Sequence, residues 1–204
     1  MEHSDIVNWS ADGYISDKTG FRKMSYKAKS NVSDDVSKML RVDHAGEYGA
    51  VAIYRGQQAV FRHNPKTAST ASKLSEMEQE EQKHLDAFDK LLIEKNVRPT
   101  ALMPLWNFAG YGLGVLTAMI SEKAAHACTE AVESVIEQHY GEQAEKTQDI
   151  EPGLSDLFKE FREDELHHRD IAVENGAHEA PAYNLLSNII KAGCHAAIKI
   201  TKVV

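Results

Sequence analysis

The sequence predicts an all-α fold: a four-helix bundle with an additional C-terminal amphipathic helix. Two observations carry this. Apolar residues recur at three- and four-residue steps over long stretches, with no convincing two-residue alternation, so no sheet is expected. The five prolines fall between those stretches rather than within them. At 204 residues, one domain with a substantial core is the natural expectation. The composition, 42% hydrophobic and 26% charged, is ordinary for a globular protein.

Residues 1–32 show no sustained periodicity and read as a polar, partly disordered N-terminal segment, leaving 33–204 as the folded domain. Ser33 followed by Asp34 and Asp35 starts the first helix, a capping hydroxyl with acids at the positive end of the helix dipole. It should run to about His63, before Asn64-Pro65. The second is expected from Thr67 to Asn96, stopped by Arg98-Pro99, and the third from Pro104 to about Glu145. The fourth follows Pro152-Gly153 and ends at Asn175-Gly176, a pair suited to a left-handed exit. The last begins after Pro181 and runs into Lys202.

Several function classes drop out. A net charge of -8 disfavours nucleic-acid binding, which needs a basic surface. Cys128 and Cys194 are too few for a disulfide scaffold or a zinc ribbon and read as free thiols in a reducing compartment. The first twenty residues carry no apolar run and no small-residue cleavage site, and Glu2, Asp5, Asp12 and Asp17 argue against a transit peptide. Retention inside the cell is the resulting expectation.

Two stretches depart from the soluble pattern. Residues 99–121 hold no charged side chain and include Leu102, Leu105, Trp106, Phe108, Leu116 and Ile120. The length approaches a membrane span, but Pro104, Asn107 and three glycines weaken that reading, and Glu122 and Lys123 follow at once. Lying at a membrane surface, or a buried hairpin helix, fits better. The last helix lines up Leu185, Leu186, Ile189, Ile190, Gly193, Ala197 and Ile200, with Lys191, Lys199 and Lys202 mostly off that stripe. Such a helix binds an anionic bilayer surface or docks on a core.

The informative residues are acids where core should be. The second helix carries Leu74, Met77, Glu81, His84, Phe88 and Leu91 on one stripe; the fourth carries Leu154, Phe158, Phe161, Glu165, His168 and Ala172. Each stripe holds a Glu and a His three apart. The first helix points Glu47 inward, with Asp43 or His44 one turn before it. The third offers Glu130, Glu133 and Glu137, which spacing alone does not separate, and Glu163, Asp164 and His167 compete for the fourth-helix pair. Glu47 precedes the first Glu-x-x-His by 34 residues and Glu133 precedes the second by 32, so two hairpins share one layout. Four ionised carboxylates in one core need compensation, and no Lys or Arg sits at matching inward positions. Two divalent cations would supply it, and oxygen-rich coordination with one imidazole per metal suits Fe(II) or Mn(II) better than structural zinc.

The segments LRVDHAGEYGAVAIYRGQ (40–57), EEQKHLDAF (80–88), CTEAVESVIEQHY (128–140) and FREDELHHRDIA (161–172) resemble the demethoxyubiquinone hydroxylase family of ubiquinone biosynthesis, which is ferritin-like and di-iron. The resemblance covers roughly 33–204. It implies two iron ions held by Glu47, Glu81, His84, Glu133, Glu165 and His168. The implied reaction is O2-dependent ring hydroxylation of a polyprenylated methoxy-methyl-benzoquinol, peripheral on an inner membrane, at the cytoplasmic face in bacteria or the matrix face in mitochondria. Other ubiquinone-biosynthesis proteins are implied as partners. Within this frame Asp43 is a candidate acceptor for a ligand imidazole, and Tyr140 a candidate hydrogen-bond donor or redox participant near the metals. Gly110, Gly112 and Gly114 make no dinucleotide fingerprint, so two electrons must come from an external donor, NADH among the options, or from the quinol itself. The competing readings are a ferritin-like iron oxidation or storage protein, a di-iron oxygenase acting on another lipid, and a metal-free membrane-associated lipid or quinone carrier.

Overall fold

The computed structural model describes residues 30–204 throughout and, before them, the backbone of 8–9, 14–17 and 20–23. Those three segments are short strands, β1 (Asn8–Trp9), β2 (Tyr14–Asp17) and β3 (Gly20–Lys23), paired as an antiparallel meander with Ile15 opposite Trp9 and Arg22. The expectation of no sheet is thereby corrected: Tyr14, Ile15 and Phe21 are β-formers, in runs too short for a period to be read. The expected disorder in 1–32 otherwise falls largely outside the described residues.

Six helices follow: α1 (Asp34–Phe61), α2 (Ala68–Lys95), α3 (Met103–Ile120), α4 (Glu122–Thr147), α5 (Pro152–Glu174) and α6 (Tyr183–Thr201). The predicted caps operate: Ser33 Oγ accepts from Val36 N–H, and Gly176 takes the left-handed conformation after α5 at φ 87°. Asn96, expected only as the end of α2, closes it in the same conformation at φ 54°. The third helix, expected to be continuous from Pro104 to Glu145, is broken at Ser121. That residue is extended, and its Oγ accepts from Ala124 N–H to start α4. Ser-Glu-Lys is an ordinary helix start, hidden in the sequence by unbroken apolar periodicity on both sides.

The bundle is α1, α2, α4 and α5. One core cluster joins Val36 and Leu40 of α1 to Phe88 and Leu92 of α2, Tyr140 of α4, and Phe158 and Phe161 of α5. A second joins Tyr54 and Phe61 of α1 to Leu74 and Met77 of α2 and Ala125 of α4. The starts of α1 and α5 therefore share one end with the finishes of α2 and α4, making two antiparallel hairpins. The α3 helix carries the chain the length of the bundle between them. It lies so close along α1 that a Cβ at Gly114 would collide with the Ile53 carbonyl oxygen, and one at Gly110 would sit 2.7 Å from that of Gly49. Only glycine permits this approach. The α6 helix runs beside α4, where Glu130, buried, accepts from Tyr183 Oη (3.0 Å) and Lys191 Nζ (3.2 Å).

Candidate metal centre

Between the two apolar clusters lies a layer of polar side chains, one or two from each bundle helix. Glu47 (α1), Glu81 and His84 (α2), Glu133 (α4), and Glu165 and His168 (α5) are all buried, Glu81 and Glu165 with no exposure. They form two overlapping groups: Glu47, Glu81, His84 and Glu165, and Glu81, Glu133, Glu165 and His168. Within each group the ligand atoms lie within 4.8 Å of one another. All six residues named from the sequence thus come together, and Glu130, Glu137, Glu163 and His167 are not in either group.

Glu81 and Glu165 belong to both groups in a specific way. Glu81 turns Oε2 toward His84 Nδ1 (3.6 Å) and Oε1 toward His168 Nδ1 (2.9 Å). Glu165 turns Oε1 toward His84 Nδ1 (3.3 Å) and Oε2 toward His168 Nδ1 (3.5 Å). Each of the two carboxylates therefore turns one oxygen toward each histidine and could hold an ion on either side, while Glu47 and Glu133 belong to one group each.

The surrounding hydrogen bonds are reciprocal between the hairpins. His84 of α2 sets Nε2 against Asp164 Oδ2 of α5 (3.1 Å), and His168 of α5 sets Nε2 against Glu80 Oε2 of α2 (2.7 Å). An acceptor at Nε2 places the ring proton there and leaves Nδ1 free to bind a metal. Tyr54 of α1 donates to Glu133 Oε1 (2.7 Å), and Tyr140 of α4 donates to Glu47 Oε1. Tyr140 is thus a donor to a candidate ligand. Asp43 does not accept from a ligand imidazole, as had been expected. It sits one turn toward the start of α1, where Gln143 Nε2 donates to its Oδ1 (2.9 Å) and His139 Nε2 lies 3.5 Å away.

Sequence reasoning missed Tyr54 and the roles of Glu80 and Asp164, although signals existed. Each Glu-x-x-His is preceded by an acid, and each single glutamate is followed seven residues later by a tyrosine.

The donor set tests whether cations fit. Both oxygens of Glu81 and of Glu165, Oε2 of Glu47 and of Glu133, and Nδ1 of His84 and of His168 are buried with no hydrogen-bond partner. Eight orphaned atoms converging on one layer are costly unless ions satisfy them. Without such ions protons take their place. Burial, with Glu81 beside it, raises Glu47 to about 7. Burial alone would lower His168, but the carboxylates of Glu165 and Glu81 facing its Nδ1 outweigh it and push the imidazole up to about 12; His84 moves the same way. The group could hold two divalent ions, with four carboxylates to neutralise them.

Beside this layer, α1, α3, α4 and α6 enclose a groove of about 440 Å³ with an almost wholly apolar lining that includes Ala50, Trp106, Leu113, Val132 and Ile190. It shares Val42, Gly46, Ile136 and Ile198 with a small pocket that reaches Asp43, Glu47, His139 and Tyr140. The two helices that wall it on the outside also expose apolar side chains, Phe108, Leu116 and Met119 on α3 and Leu185 and Ile189 on α6. Among the described residues no helix is long and apolar enough to cross a membrane.

The family model described as ubiquinone biosynthesis protein COQ7 matches residues 34–201. A Rhodospirillum rubrum protein named 3-demethoxyubiquinol 3-hydroxylase is 46% identical over 167 residues, covering 82% of this chain and 77% of its own. A Mus musculus protein named mitochondrial NADPH-dependent 3-demethoxyubiquinone 3-hydroxylase is 44% identical over 171 residues with the same coverage. The Saccharomyces cerevisiae mitochondrial 5-demethoxyubiquinone hydroxylase is 35% identical over 178 residues, covering 80% and 76%. With the match running from the start of α1 to the end of α6, the chain belongs to the ubiquinone biosynthesis protein COQ7 family.

Proposed function

We propose that this chain is a 3-demethoxyubiquinol hydroxylase, which adds one oxygen atom of O2 to the open ring carbon of a polyprenylated methoxy-methyl-benzoquinol, the other leaving as water with two electrons and two protons. The observation that carries this reading is the apolar groove whose inner end meets Glu47 and Tyr140. A soluble iron-storage protein has no use for such a groove, whereas an insoluble prenyl tail with a polar ring requires one.

Glu47, Glu81, His84, Glu133, Glu165 and His168 are the proposed ligands of two iron ions, which when bound supply the two-electron chemistry that activates O2. The protein's own part is positioning and exclusion. Asp164 and Glu80 fix the imidazole tautomers. Tyr140 and Tyr54 each occupy one oxygen of Glu47 and Glu133, leaving Oε2 of each toward the centre. Glu81 and Glu165 have free oxygens on both sides and can change binding mode as charge changes. The Phe88, Phe158 and Phe161 cluster keeps water from one end of the layer, and Phe161 stacks on His84 at 4.0 Å. The tail lies in the groove while the exposed faces of α3 and α6 rest on a bilayer, giving a peripheral position on an inner membrane. Two electrons come from an external donor. The mammalian relatives are named NADPH-dependent, which makes a reduced nicotinamide the first donor to test.

The experiment is quinone profiling by mass spectrometry in a hydroxylase-deficient strain that expresses this chain or Glu165→Ala. Restored ubiquinone with the first, and accumulated demethoxy precursor with the second, is the expected pair. Precursor accumulation with both, despite folded and iron-loaded protein, would overturn the substrate assignment.

A further inference from the structure

The narrow end of the groove holds a side chain that the metal layer does not use. Asp43 is buried, at 3% exposure, and its Oδ2 has no hydrogen-bond partner. Its Oδ1 is committed to Gln143, with His139 alongside. Gln143 is itself buried, so the carboxyl is pinned from behind while its second oxygen stays unsatisfied. Asp43 also lines the small pocket that links the groove to Glu47. A carboxylate only accepts, so the missing partner is a donor. Of the donors beside it in that pocket, Tyr140 Oη is given to Glu47 and His139 Nε2 faces Oδ1, and the remaining walls, Val42, Gly46, Ile136 and Ile198, bring none to Oδ2.

Gly46 is the second anomaly there. It lies inside α1, where glycine weakens a helix relative to alanine. Gly110 and Gly114 are required by helix contact, but a Cβ at Gly46 would meet nothing within 4 Å. What the missing side chain leaves is open space, and Gly46 lines both the groove and the pocket at its end.

We propose that Asp43 receives the ring hydroxyl of the quinol through Oδ2, and that Gly46 keeps the adjoining passage wide enough for the ring. An amphiphile with a long apolar tail and a hydroxylated head matches the site end to end: tail along the groove, donor at the Asp43 oxygen that lies outside the metal layer and lacks a partner. Asp43 in this role touches substrate and sets how the ring sits. The inference rests on the hydroxylase reading and adds to it the residue that recognises the head group.

The test uses the metal-loaded full chain under argon, in detergent micelles and in a Trp9→Phe background, so that Trp106 of the groove wall is the remaining tryptophan. Quenching by a prenylated benzoquinone reports occupancy, and its displacement gives affinities for a prenylated phenol and for its methyl ether. Wild type should prefer the phenol by about tenfold, the scale of a charge-assisted hydrogen bond. Asp43→Asn should bring that ratio close to one. Gly46→Ala, which keeps the carboxylate, should weaken the phenol at least fivefold while raising the melting temperature. If wild type binds the quencher but shows no hydroxyl preference, or if Asp43→Asn keeps it, a solvent water satisfies Oδ2 and the inference falls while the groove reading stands. Unchanged phenol affinity in Gly46→Ala would remove the part given to glycine. A wild type that does not bind the quencher overturns the groove reading itself, and this inference with it.

Discussion

Replacing Glu80 by alanine tests whether the centre depends on the acids behind its histidines. Glu80 accepts from His168 Nε2 at 2.7 Å, and Asp164 from His84 Nε2 at 3.1 Å. Loss of such an acceptor typically lowers metal affinity 10–100-fold, about 1.4–2.8 kcal/mol. The Glu80 and Asp164 side chains are 44% and 52% exposed, so water can replace either acceptor and no buried orphan is created. That places the effect at the lower end, roughly tenfold, with Glu80→Ala somewhat larger than Asp164→Ala because its bond is shorter. Glu80→Gln retains a carbonyl acceptor and should lose less than about threefold. Anaerobic Fe(II) titration against a competing chelator measures this, and one of the two ions should weaken while the other holds. Unchanged affinity in Glu80→Ala would refute the orienting role. A Glu80→Gln variant as weak as Glu80→Ala would show that charge, rather than an acceptor for the ring proton, is what matters.

Other expectations follow from single contacts. Gly114→Ala sets a Cβ against the Ile53 carbonyl and should cost about 2 kcal/mol or more in thermal unfolding. Gly112→Ala, which meets open space, should gain up to about 1 kcal/mol. Burial, with the Lys73 ammonium nearby, lowers His126 from 6.5 to about 4. The unfolded chain therefore takes up a proton near pH 6.5 that the folded chain refuses until about 4. Stability from this group is full above that window and lost as pH falls through it, by up to about 3 kcal/mol. Urea unfolding at pH 7 and at pH 4.5 should show the loss shrinking in His126→Gln. Reversing Lys199 and Lys202 to glutamate should cut sedimentation with anionic liposomes roughly tenfold or more. Unchanged recovery, there or on deletion of residues 183–204, would remove α6 from the membrane role.

Much of this was legible because burial of charge is so costly. Glu81, His84, Glu165 and His168 interrupt stripes that are otherwise Leu, Met and Phe, and a periodic pattern exposes such interruptions at once. Helix limits were legible where Ser33, Pro65, Pro99, Pro152 and Gly176 supply punctuation. What the sequence hid was lateral contact. Nothing local separates Glu133 from Glu130. Both are buried, but Glu130 faces α6 and spends its charge on Tyr183 and Lys191. Asp43 lies on the same face as Glu47, yet a one-turn displacement moves it from the metal layer to Gln143. The break at Ser121 was hidden because neither Pro nor Gly marks it: one extended residue and its capping bond to Ala124 make the joint.

The duplicated layout is complete in ligands but not in access. Counting from Glu47 and Glu133, both hairpins place a tyrosine seven residues on, Tyr54 and Tyr140, and a glutamine ten residues on, Gln57 and Gln143. Each tyrosine holds the other hairpin's glutamate, so neither hairpin can build half the centre alone. The glutamines then diverge. Gln57 donates to the backbone carbonyl of Ala125 and ties α1 to α4, whereas Gln143 donates to the Asp43 side chain beside the passage to the groove. Four residues before each glutamate stand Asp43 and Thr129, so the second hairpin has no acid where the first has one. Because α3 packs along α1 and α6 along α4, the groove forms between them and reaches the layer at Glu47. A site symmetric in its charges is thereby approached from one side. On the proposed reading, a substrate ring arriving through the groove would meet Asp43, Glu47 and Tyr140 first, and two ions held in the layer would stand unequally toward it.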